Sequence, residues 1–78
     1  MKRICIDVSE ETAATLAKLV QSCNESHDAH DGFTSHGKLT PASLLAMLAE
    51  DAAMVVTRPG SWEGANMAQV LMSHGYDV

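Results

Sequence analysis

Apolar and polar residues alternate over the first stretch of the chain: Ile4, Ile6 and Val8 fall on one side, Arg3, Cys5 and Asp7 on the other. That period of two predicts a strand over residues 3–8 with one apolar face. The period then changes. Ser9 is a favourable N-cap, and Glu10 and Glu11 put negative charge in the first turn, where the helix dipole favours it. Ala13, Leu16, Ala17, Val20 and Cys23 recur at spacings of three and four, with Leu19 beside them, so a helix is predicted over 10–22. Residues 24–38, NESHDAHDGFTSHGK, break the pattern with polar residues, two glycines and three histidines. They read as a loop, mobile or functional, long against the ~2–8 residues usual between helices.

Thr40 and Pro41 restart order, Thr as N-cap and Pro at the first helical position. Leu44, Leu45, Met47, Leu48, Ala52 and Val55 follow, flanked by Ala49, Ala53 and Met54, which predicts a helix over 41–55. It is apolar around most of its circumference, which implies burial on two sides, one against its own chain and one against a partner. Its tail, Met54–Thr57, is β-branched enough to be a short strand instead. Arg58-Pro59-Gly60-Ser61 is a turn by composition, and Ser61 can cap a third helix over 62–73, ended by Gly75. The expected class is α+β, mostly α: strand, helix, long loop, helix, turn, helix.

Length narrows this further. The 78 residues are expected to form a single domain, 1–78, in which apolar burial and ordering entropy nearly cancel. The two cysteines, Cys5 and Cys23, are a weak basis for a disulfide scaffold, so a second copy of the chain is the expected source of extra stability. No signal-peptide-like segment follows Lys2 and Arg3, and no apolar run approaches the ~20 residues of a membrane span, so a cytoplasmic protein with no membrane role is expected. Five basic against ten acidic residues give a formal charge of −5, which opposes nonspecific attraction to a polyphosphate.

A solitary strand needs a partner edge, and another copy of itself would serve. KRICIDVSEETAATLAKLV followed by LTPASLLAMLAEDAA resembles the ribbon-helix-helix proteins, whose dimers pair two N-terminal strands over four interlocked helices. The resemblance covers residues 2–23 and 39–53. It implies a homodimer joined through Ile4, Ile6 and Val8, with Arg3, Cys5 and Asp7 turned to the DNA major groove. It also implies a phosphate held at the helix start by Thr40, with Lys2 and Lys38 on the backbone. Of the strand residues only Arg3 suits base reading; Asp7 points a negative charge at the phosphates. The loop 24–38 and the third helix depart from the family's pattern.

His27, His30 and His36, interspersed with Asp28 and Asp31, are weak metal candidates, because imidazole and carboxylate suit zinc or nickel but their spacing matches no closed site. A polar solvated loop is the plainer reading, and no cofactor is expected. No GxSxG elbow, Cys-His signature or phosphate-cradling glycine loop occurs, so the protein is not expected to be an enzyme. Met47, Met54, Met67 and Met72 read as core at helical spacing, with an adaptable binding surface as the alternative. Trp62, the only tryptophan, can anchor an interface or pack over its own turn. Glu10, Glu11, Asp28, Asp31, Glu50, Asp51 and Glu63 form either an ordinary solubilising surface or a field complementary to a basic groove.

In size and charge the chain also resembles the anti-CRISPR proteins. The expected function is therefore a non-catalytic acidic module that inhibits a nucleic-acid-handling protein by occupying its basic site. The alternative is a ribbon-helix-helix transcriptional repressor or antitoxin, with DNA as its partner.

Overall fold

The computed structural model describes residues 1–78. It holds three helices and no strand: α1 over Glu10–Ala29, α2 over Pro41–Thr57 and α3 over Trp62–Ser73. The chain divides into two compact units, Met1–Ser43 and Leu44–Val78.

The all-α architecture corrects the expected α+β class. Residues 1–9 carry no regular structure, and Ile4 and Ile6 are 81% and 64% exposed. Alternation fixes which side chains would share a face, but a strand also needs an extended neighbour for its N–H and C=O groups. No other segment of the chain supplies one. The Met54–Thr57 tail, the other candidate strand, is the last turn of α2, where the Thr57 hydroxyl donates to the Ala53 carbonyl (3.3 Å).

In the first unit, Ser9 caps α1 by accepting from the Thr12 N–H at 3.0 Å, ahead of Glu10 and Glu11. Val20 is the buried residue of this helix, with Leu16 and Cys23 half-buried a turn to either side. The helix runs two turns past the expected end at Ser22, so the polar stretch 24–29 is helical and the loop is shorter than 24–38 implied. Its end is set by a Schellman turn: the Asp31 N–H donates to the Asp28 carbonyl (3.2 Å) and the Gly32 N–H to the His27 carbonyl (2.9 Å). Asp31 adopts the left-handed φ of 53° that this turn needs, followed by Gly32 at 80°.

The loop is then tied back to the helix. The Leu39 N–H donates to Asn24 Oδ1 (2.7 Å) and Asn24 Nδ2 donates to the Leu39 carbonyl (3.0 Å), a two-bond clasp between partly buried groups. Beyond it, Thr40 and Ser43 cap the start of α2 reciprocally. The Ser43 N–H donates to Thr40 Oγ1 (3.1 Å) and the Thr40 N–H to Ser43 Oγ (2.8 Å).

In the second unit Leu44 is buried, at 3% exposure. Leu48, Asp51 and Val55 on the same side of α2 are half-buried. Ala46, Ala49, Ala53 and Val56 lie on the opposite side and are all exposed. The turn into α3 is built on Ser61, whose hydroxyl donates to the Arg58 carbonyl (2.7 Å) and accepts the Gly64 N–H (3.0 Å). Gly64 is buried there because α3 begins against the end of α2. A Cβ on Gly64 would sit 2.5 Å from the Arg58 carbonyl oxygen and 2.7 Å from that of Met54. A second Schellman turn ends α3, with Gly75 at φ 91° and the Tyr76 N–H on the Leu71 carbonyl (3.0 Å).

Candidate functional site

The short hydroxyl–imidazole contacts of the chain, Thr34 on His27 and Ser35 on His36, are local ones at exposed positions where α1 ends and its loop begins. The residues implied for DNA reading fall on the segment without regular structure. Lys2, Arg3, Cys5 and Asp7 are exposed there, and no ribbon holds Arg3, Cys5 and Asp7 on one face. The segment that was to join two copies, Ile4, Ile6 and Val8, is exposed for the same reason.

The phosphate site at the start of α2 is largely occupied by the chain itself. Thr40 Oγ1 already takes the Ser43 N–H, and Pro41 has no N–H to offer. Lys38, which would have added charge, pairs with Asp28 (Nζ to Oδ2, 3.2 Å). Both partners are well exposed, so the pair contributes little to stability, but it offsets the local positive charge.

The three loop histidines do not converge. His27 Nδ1 lies 2.6 Å from Thr34 Oγ1, His30 Nδ1 donates to the Ser26 carbonyl (2.7 Å), and His36 Nδ1 meets Ser35 Oγ at 2.6 Å. No three His, Cys, Asp or Glu side chains are gathered as a metal ion would require. His27 and His30 instead finish α1: one ring holds the loop through Thr34, and the other satisfies a last-turn carbonyl.

Trp62 is the first residue of α3 and is 77% exposed, so it does not pack over its own turn. Glu63 follows it, half-buried. No family model, curated protein or solved structure matches this chain. Its surface therefore has to be read on its own chemistry. Glu10, Glu11, Asp28, Asp31 and Glu50 are exposed and Asp51 is half-buried. They are spread over two helices and the loop rather than gathered in one place. No helix is long and apolar enough to cross a membrane.

Sequence reasoning passed over Asn24, Ser43 and Gly64, the residues that fix the loop, the α2 start and the α2–α3 turn. A signal existed for two of them. Ser43 stands three residues after Thr40, the spacing of a capping box, and Gly64 stands three after the Ser61 cap, early in a helix where alanine would be the better former. The clasp of Asn24 on Leu39 joins residues 15 apart and leaves no local trace.

Proposed function

We propose that this chain is a non-catalytic, acidic protein-binding module that engages a basic surface, of the kind a nucleic-acid-handling protein uses for its own ligand. One observation carries the reading: the only tryptophan stands 77% exposed at the head of α3, in a first turn that also holds the acidic residue Glu63. A large exposed aromatic supplies short-range affinity, and a surplus of carboxylates on the same chain steers a basic partner toward it. Two observations disfavour the DNA-binding alternative. Arg3, Cys5 and Asp7 have no strand to present them, and Lys38 is paired with Asp28.

Trp62 is also the reporter for the test. The chain is titrated at low salt with an arginine-rich peptide while Trp62 emission is followed, and in parallel with genomic DNA fragments in a mobility-shift assay. A saturable emission change with the peptide, lost on Trp62→Ala or in high salt, and no retained DNA is the expected result. Retention of one short DNA site, abolished by Arg3→Ala, would overturn the reading in favour of a repressor.

A further inference from the structure

Asp31 is the one aspartate of the chain that a glycine follows; Asp7, Asp28, Asp51 and Asp77 each precede valine or alanine. The pair has its own chemistry. A backbone amide nitrogen can attack the side-chain carboxyl of the aspartate before it, and a side chain on the attacking residue stands in the way. Gly32 has none. Asp31 and Gly32 are both exposed, and together they form the left-handed exit of α1, at φ 53° and 80°.

The same turn holds the attacking atom back. The Gly32 N–H donates to the His27 carbonyl (2.9 Å) and the Asp31 N–H to that of Asp28 (3.2 Å). Bringing the Gly32 nitrogen onto Asp31 Cγ requires rotation about the Asp31 Cα–C bond, which carries that N–H away from the His27 carbonyl. The His27 ring also lies over Gly32, where a Cβ would stand 3.6 Å from its Nε2, and Nδ1 of the same ring meets Thr34 Oγ1 at 2.6 Å. Release of these contacts is a local unfolding of the last turn of α1, a class of motion that costs far less than global unfolding.

We propose that Asp31–Gly32 is a site of spontaneous isoaspartate formation, gated by opening of the turn that ends α1. With the turn open, the Gly32 nitrogen bonds to Asp31 Cγ, and the carboxyl hydroxyl leaves with the amide proton as water. The five-membered imide then takes up one water. Hydrolysis at Cγ restores aspartate. Hydrolysis at the Asp31 backbone carbonyl carbon leaves the main chain running through Cβ and Cγ, with the α-carboxylate as its side group. Composition is unchanged and water is the only co-reactant. The main chain is one carbon longer, so the two N–H groups lose the spacing at which they meet the Asp28 and His27 carbonyls together. All of these contacts lie in the first compact unit, apart from Trp62.

The full chain is incubated at neutral pH and body temperature, and isoaspartate is counted by enzymatic methylation of its carboxylate and placed by peptide mapping. It should rise at position 31 above its level at Asp7, Asp28, Asp51 and Asp77. In guanidinium chloride, where the turn is lost, it should form several-fold faster. Gly32→Val, compared with the wild-type chain in that denaturant so that folding does not enter, should slow it several-fold. Isoaspartate at 31 that stays at the level of the other aspartates in the folded chain overturns the proposal. Formation as fast in the folded chain as in denaturant overturns the gate, and formation undiminished by Gly32→Val overturns attack by the Gly32 nitrogen.

Discussion

Asn24 and Leu39 are 15 positions apart and joined by two hydrogen bonds, one in each direction, between a side-chain amide and a backbone N–H and C=O. The amide stands in for a neighbouring strand, satisfying a backbone that no ladder reaches. Asn24→Ala removes both bonds, each worth ~1 kcal/mol net, with a further penalty for Leu39 groups left partly buried and unpaired. Amide hydrogen exchange should show the Leu39 N–H losing protection. Asn24→Asp, which keeps the acceptor and lacks the donor, should fall between the two.

Gly64→Ala separates helix propensity from packing. In an open helix the change would gain ~1 kcal/mol. Here the new Cβ meets two carbonyl oxygens of the α2 end, at 2.5 and 2.7 Å, and these are backbone atoms that cannot swing aside. A net loss of ~1–3 kcal/mol is expected, as for other overpacked sites. Urea denaturation followed by far-UV circular dichroism would read it, and a gain in stability would mean that α3 does not start against α2.

The caps at Ser9 and Ser61 differ in what they hold. Ser9→Ala removes two bonds to Thr12, its N–H and its hydroxyl, at an exposed helix start, whereas Ser61→Ala removes the bond to the Arg58 backbone carbonyl and bares the N–H of buried Gly64. Ser61→Ala should cost ~1–2 kcal/mol and Ser9→Ala about half as much, within the usual range for N-caps. Equal losses in thermal melts would count against the buried turn at Ser61.

At Asp31 the backbone is left-handed, φ 53°, and closes the Schellman turn after α1. Aspartate tolerates that region and a β-branched residue does not. Asp31→Val should destabilise the chain by ~1 kcal/mol or more, while Asp31→Gly should be neutral or stabilising. The same ordering should appear in the NMR signals of His27 and Thr34, whose contact depends on this turn.

Local rules carried much of the helical reading. Ser9 with Glu10 and Glu11, and Ser61 ahead of Trp62, are caps whose partners lie three residues along, so sequence proximity and spatial proximity coincide. Where the two part, the reading fails. Asn24, Ser26 and Asp28 are poor helix formers and suggested a break after Ser22. Their helix continues to Ala29, where Asp31-Gly32 supplies the left-handed exit. The alternation of Ile4, Ile6 and Val8 was equally clear, but pairing is a property of two segments, and one segment cannot declare it. The candidate site was less legible still. That Trp62 faces outward and that α2 has an uncovered apolar side are facts of tertiary placement, which the apolar pattern alone leaves open.

The unpaired segment at the start of the chain has a cost in colloidal behaviour. Arg3–Val8 is β-branched, alternating and uncovered, the composition from which cross-β stacking is nucleated. Lys2, Arg3, Asp7 and Glu10 punctuate it with charge on either side of its apolar residues, the arrangement by which sequences guard an unavoidable sticky stretch. Neutralising those guards, by Asp7→Val or Arg3→Val, should raise the tendency of the first nine residues to stack into fibrils, read as a gain in thioflavin T fluorescence over the wild-type chain.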